Sequence, residues 1–275
     1  MLKATAIVLT RYLEPHLSKQ CYHLAGRGGA KAAVRAVADN LDGKEFVFRT
    51  DVKSYYASLD HDVLVGQLQR FVKDPRVLKL LWRYVHRLVY QDGRYREVHR
   101  GIPLGCPLSP LVGALYLKAL DDRMAETGLF YARFMDDWVI LAPTRWKLRR
   151  AIRLVNQTLA ALKLEQHPDK TFIGRTGRGF DFLGYQFTPS GLGVAAKTIE
   201  RFAERWTRLY EHGAPEERIG AYVRHWRRWV TGGLGTHGLS VEPWLEDDQT
   251  CRTSEPRFYL EWSRASRLAL IAVAR

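Results

Sequence analysis

Two adjacent aspartates interrupt an otherwise apolar stretch at Tyr131-Ala-Arg-Phe134-Met-Asp136-Asp137-Trp-Val-Ile-Leu141, and no other segment constrains the chain as much. The β-branched and aromatic residues on either side read as two short strands joined by a tight turn that carries the carboxylates. In extended backbone, neighbouring side chains point to opposite faces, whereas a turn brings both toward one cation. Aspartate is also a common turn residue, so the doublet by itself admits a purely structural reading.

An upstream partner breaks that balance. Phe46-Val-Phe48-Arg-Thr is a second apolar strand pattern, it ends on Asp51, and a helix-start signal follows at Asp60. Laid side by side, the two strands let Asp51 and Asp136 hold a pair of divalent ions, the arrangement that activates a primer hydroxyl and stabilises a leaving pyrophosphate. With these residues in place the sequence resembles the reverse transcriptases, the bacterial group II intron-like ones more than the retroviral ones. The resemblance runs through residues 5–230, with its motifs in the family's order.

That resemblance implies an α+β right-hand polymerase: an antiparallel-sheet palm, reduced fingers and a helical thumb. Fingers and palm are expected over 1–190, N-terminally short, and the thumb over 195–235; residues 236–275 form a C-terminal tail in which no motif is recognised. Glu14-Pro-His-Leu17 resembles the end of the last fingers helix. Tyr22-His-Leu-Ala-Gly26-Arg27-Gly28-Gly29-Ala-Lys31 stands where the family has a Gly- and Arg-rich loop, so Arg27 and Gly28 become candidates for template or primer contact. A loop of glycines and cations can set backbone N–H groups and charge against phosphates, although a plain flexible loop before a helix over 31–40 also fits. The family's longer N-terminal stretch carries a triphosphate clamp. Its absence before Met1 leads to the expectation of a weakened enzyme or of other cations, such as Lys53, gripping the nucleotide.

The remaining motifs follow in order. Tyr56, five residues after Asp51, matches the family's aromatic steric gate and implies dNTP rather than rNTP as substrate. Apolar spacing predicts helices over 62–71 and 76–90, separated at Pro75. Arg100-Gly-Ile-Pro103-Leu104-Gly105-Cys106-Pro107-Leu-Ser109-Pro110 resembles the family's turn into a helix at the nucleotide. Leu104 replaces the usual Gln there, leaving only apolar contact, and Gly105 and Pro103 join the nucleotide and template set. An amphipathic helix is expected over 144–164. Lys170, in His167-Pro-Asp-Lys170, matches a proposed proton donor to pyrophosphate, a role that calls for a lowered pKa or a dianionic partner; simple charge pairing is the other reading. Phe182-Leu183-Gly184-Tyr185 resembles the primer grip, and would also suit an ordinary hairpin. From residue 195 on, cations interleave with Trp206, Tyr210, Tyr222, Trp226 and Trp229; the aromatics are expected to be thumb core and the cations to track phosphates.

Composition fits these implications without singling them out. A formal charge of +14 suits a phosphate-rich partner, and an anionic membrane surface would suit it too. No apolar run approaches the roughly 18 residues of a spanning helix, and no export signal is recognised. Three scattered cysteines, Cys21, Cys106 and Cys251, indicate neither a zinc site nor a disulfide framework, which makes a reducing cytoplasm the default.

The expectation is therefore RNA-templated addition of dNTPs to a DNA or RNA primer. Asp51, the Val52 carbonyl and Asp136 would hold two Mg²⁺ ions, or Mn²⁺, with Asp137 assisting. A structured RNA is a further candidate partner. The alternatives are a catalytically weak RNA-binding remnant and a template-independent dNTP transferase.

Overall fold

Trp138, Val139, Ile140, Leu141 and Ala142 are all fully buried, so their strand is covered on both faces and must lie inside a layered domain. The structure, a computed structural model, describes residues 2–235. These form two units, 2–176 and 177–235. The tail expected over 236–275 lies outside the described residues.

In chain order the first unit contains α1 (Leu2–Leu13), α2 (Gly29–Asp39), β1 (Phe46–Thr50), the short α3 (Tyr55–Ser58), α4 (His61–Phe71), α5 (Pro75–Val85), β2 (Leu88–Gln91) and β3 (Arg94–Glu97). It continues with α6 (Ser109–Tyr116), α7 (Lys118–Glu126), β4 (Phe130–Phe134), β5 (Asp137–Ala142), α8 (Arg145–Ala161) and β6 (Phe172–Arg175). The sheet order is β4-β5-β1-β6, antiparallel throughout. Helix α8 packs on β1 and β5, and α2 packs on β4. One apolar cluster, from Ala6 to Leu164, fills the space between helices and sheet.

Local chemistry explains the helix starts. Asp60 accepts the N–H of Val63 at 3.1 Å, and Asp74 accepts those of Arg76 and Val77 just ahead of Pro75. Thr144 caps α8 in the same way. One expectation fails here. The helix expected over 76–90 stops at Val85, and Leu88–Gln91 pairs instead with Arg94–Glu97 as a two-stranded ribbon. Leu88 continues the helical spacing of apolar residues, but Asp92-Gly93 is a hairpin turn. Both residues take positive φ, 52° and 78°, as the tight two-residue turn demands.

The second unit is a β-meander, β7 (Phe180–Phe182), β8 (Tyr185–Thr188) and β9 (Gly191–Val194), followed by α9 (Ala196–Glu211) and α10 (Glu216–Leu234). Its aromatics pack on one another. Phe202 stacks on Trp226 at 4.1 Å and on Tyr222 at 5.4 Å, and Tyr185 stacks on Trp229 at 4.9 Å while donating its hydroxyl to the Trp229 carbonyl. Trp226 and Tyr222 thus pack α10 on α9, and Trp229 packs α10 on the meander, interior roles of the kind the sequence leads one to expect.

Candidate active site

Strand β1 pairs with β5 up to Thr50↔Trp138, so Asp51 follows one step beyond, opposite Asp137. Beyond Asp51 the chain is zipped onto the segment before β6: His167 donates its N–H to the Asp51 carbonyl, and Lys53 donates to that of Glu165, both at 2.9 Å. This bridge leaves the Val52 backbone groups out of the pairing. A short 3-10 turn at Pro168–Lys170 then carries the Lys170 ammonium to Asp51 Oδ2 at 2.5 Å. The other oxygen, Asp51 Oδ1, is buried and has no hydrogen-bond partner.

The turn between β4 and β5 is Met135-Asp136. Met135 adopts φ 57°, a conformation that costs a non-glycine residue of order 1 kcal/mol or more and persists only when its surroundings impose it. They do so from both sides. The Met135 N–H donates to His23 Nδ1 at 2.9 Å, and the Met135 carbonyl accepts from the Arg133 guanidinium at 2.8 Å. Because His23 Nδ1 accepts, Nε2 carries the proton and donates to the Pro110 carbonyl at 3.1 Å. Burial holds His23 neutral, with its pKa down to about 4. Arg133 is itself fully buried and paired with Asp121 on α7, which also receives the Tyr131 hydroxyl.

Electrostatics tie the aspartates together. Asp136 is raised above the ordinary carboxylate range, first by burial and also by repulsion from Asp51. Burial pushes Asp137 up to about 7, against the pull of Arg49 and with added repulsion from Asp51 and Asp136. Arg49 lies two residues before Asp51 and so shares its face, diagonal to Asp137 across the ladder. Two protein cations, Arg49 and Lys170, thus face three carboxylates. Among the described residues no three acidic, histidine or cysteine side chains make a ready-made metal cage. Mg²⁺ does not demand one, since it binds through one or two carboxylates and completes its shell with water and substrate phosphates. The unpartnered Asp51 Oδ1 and the hard oxygen donors therefore fit a divalent cation.

Tyr56 comes to the same place: burial and the neighbouring Asp136 push its hydroxyl up to about 12, and that hydroxyl is buried without a partner. Its ring lies against Gly113 of α6, where a Cβ would stand 2.9 Å from the ring. Ile102 donates its N–H to the Tyr56 carbonyl, which ties the loop containing Pro103, Leu104 and Gly105 to Tyr56. Ser109 fastens the Pro103 carbonyl to the start of α6, Leu104 is 80 % exposed, and Gly105 takes φ 76°. Lys53 is exposed.

Other expected residues are placed differently from one another. The Arg27 guanidinium is engaged by the carbonyls of Ser18, Leu17 and Glu14, which makes it a clasp on its own loop. Gly28, at φ 79°, approaches Ala32 too closely for any side chain. Lys170 is raised, not lowered, chiefly by its bond to Asp51, so the shift is opposite to the one a general acid near neutrality calls for. In the second unit Phe182 and Tyr185 are fully buried, and the Leu183-Gly184 turn between them is half-buried, with φ 50° and 86°.

Sequence reasoning missed His23, Arg133, Asp121 and Gly113. An arginine inside an apolar strand beside the doublet is a readable signal for Arg133. His23 had none, because 112 residues separate it from the turn it holds.

A four-stranded antiparallel sheet flanked by helices, with an aspartate pair on a hairpin turn and a third aspartate on the adjacent strand, is the palm of a polymerase-type fold. The family model described as reverse transcriptase (RNA-dependent DNA polymerase) matches residues 2–187, and the chain belongs to that family. Among curated proteins it is similar to the group II intron-encoded protein LtrA of Lactococcus lactis subsp. cremoris, 21% identical over 60% of this chain and 27% of that protein. It is also similar to protein YkfC of Escherichia coli K12, 25% identical over 51% of this chain and 46% of YkfC. The chain thus spans less than half the length of these relatives. Among solved structures, telomerase from Candida albicans matches 86% of this chain and 46% of its own at TM-score 0.55 and 14% identity, a likeness of fold.

Proposed function

We propose that this protein is an RNA-directed DNA polymerase that adds dNTPs to a primer 3′-hydroxyl. The observation that carries the reading is Asp51: one carboxylate oxygen held by Lys170, the other buried and unpartnered, beside Asp136, Asp137 and Tyr56. Asp51 and Asp136, with the Val52 carbonyl and with Asp137 assisting, would hold divalent cations, Mg²⁺ or Mn²⁺. When bound, these supply Lewis-acid activation of the attacking hydroxyl and neutralise charge on the triphosphate.

The chain's own residues do the positioning. Tyr56, backed by Gly113, closes the space that a ribose 2′-hydroxyl would need, which favours dNTPs. The exposed Leu104 and the Gly105 backbone would meet the incoming nucleotide, and the exposed Lys53 its phosphates. Lys170 returns charge to Asp51 whenever no cation sits there, and it can hold a proton near the departing pyrophosphate. The half-buried Leu183-Gly184 turn would meet a primer through its backbone. The template is RNA and the primer DNA or RNA; among the described residues no helix is long and apolar enough to cross a membrane.

The test is primer extension on poly(rA)/oligo(dT) with Mg²⁺ or Mn²⁺, comparing wild type with Asp136→Ala. Extension by the wild type and background incorporation by the variant are expected. Incorporation that survives the substitution, or none by the wild type under either ion, overturns the reading.

A further inference from the structure

The ribbon formed by β2 and β3 stands largely in the open. Neither strand packs extensively on the sheet or helices, Leu88, Val89 and Tyr90 are exposed, and so is every residue of β3. Isolated two-stranded hairpins are marginally stable, and a cross-strand pair contributes roughly 0.2–1 kcal/mol, so this one needs a reason to carry large side chains in water. Tyr90 and Tyr95 pair directly across the ladder with ring centroids 5.1 Å apart, and they are 64% and 74% exposed. Leu88 shares their face by alternation, ahead of Glu97 at the root. The opposite face carries Arg94 and, across from Val89, Arg96. One broad side is aromatic and the other cationic.

The root, by contrast, is stiff. Val98 donates to the Arg87 carbonyl, and Arg87 donates to that of Gly101 at 3.0 Å. Arg100 reaches the carbonyls of Ser58 and Lys163 at 2.9 and 2.8 Å. Gly101, at φ 84° and with no space for a Cβ against Ala57 and Tyr56, donates to the Leu59 carbonyl. The ribbon therefore springs from the segment that holds the Tyr56 gate and the Leu104 loop.

We propose that this ribbon is a wedge that parts a nucleic-acid duplex lying ahead of the polymerase pocket. Unpaired bases of one strand stack on Tyr90 and Tyr95, while phosphates of the other run along Arg94 and Arg96. The inference rests on the polymerase reading above. Its energetics are matched: stacking a base on an aromatic ring is comparable in strength to a base-pair step. Two exposed rings can hold roughly one opened pair. The two-faced chemistry suits two separated strands better than a single strand on one side.

The experiment has two arms on the full chain. In the first, a primer–template carries a downstream blocking strand with a fluorophore and quencher across its first pairs, and strand opening is read without nucleotides. In the second, extension is compared on a bare and on a blocked template. Wild type is expected to raise the fluorescence and to extend through the block. Tyr90→Thr with Tyr95→Thr keeps strand-favouring residues, and it is expected to lose the fluorescence rise and about tenfold or more of blocked-template extension, with bare-template extension unchanged. Tyr90→Phe with Tyr95→Phe is expected to retain both. Equal opening by wild type and the threonine variant, no opening by wild type, or equal losses on both templates each overturn the wedge. If duplex opening depends on the tyrosines while wild type extends no bare template, the wedge stands and the polymerase reading falls.

Discussion

Asp137 shows most plainly what it costs to bury a carboxylate, here with two others close by. Its folded pKa is raised to about 7, so between the ordinary carboxylate range and pH 7 the native state binds the extra proton, and stability falls as pH rises through that window. Asp137→Asn removes the penalty. In the presence of a chelator the variant is expected to melt higher than wild type at pH 8, by on the order of 2 kcal/mol, and to lose that advantage as pH falls toward 4. Saturating Mg²⁺ is expected to shrink the gap at pH 8, because a bound cation offsets both the burial of the charge and the repulsion from Asp51 and Asp136. Thermal melts across pH, with and without Mg²⁺, check both statements. Asp51, Asp136 and Asp137 were legible as a set because aspartates that break apolar strands are conspicuous in one dimension. Lys170 was legible too, with charge pairing as one of its two readings, but that its partner is Asp51, 119 residues away, leaves no local pattern.

At the scale of elements, the β4–β5 turn is held by Arg133 of its own hairpin and by His23 from outside it, and His23 links it to the start of α6. His23→Leu strands the Met135 N–H and is expected to cost about 1–3 kcal/mol of stability. It is also expected to lower kcat severalfold with little change in the KM for dNTP, since the carboxylates move while the nucleotide pocket stays. His23→Asn offers an acceptor oxygen close to where Nδ1 stands and is expected to recover much of kcat. Steady-state kinetics with parallel melts separate a positioning role from general destabilisation. The elements themselves were readable in most places, because caps at Asp60, Asp74 and Thr144 and the buried run of β5 are local signals. The ribbon was misread as helix. Its Leu88 kept a helical spacing, and the Asp92-Gly93 turn that overrides it weighs more than periodicity over so short a span.

For the whole molecule, the core cluster of the first unit draws its members from Ala6 to Leu164. A fragment of residues 1–176 is expected to melt cooperatively and to run as a single species; a non-cooperative melt in calorimetry would contradict that. The family and the palm were visible in the ordered motifs, whereas the division after Thr176 was not, because the sequence places its composition change near residue 195 and the meander belongs with the helices that follow it. Thr176 is fastened by its N–H to the Glu45 carbonyl and by its hydroxyl to that of Lys44, after which come Gly177, with open space around it, and an exposed Arg178. That seam is where the polypeptide should accept foreign sequence: a reporter spliced between 177 and 178, or a pair of split halves meeting there, would report on the two units without disturbing either one's interior.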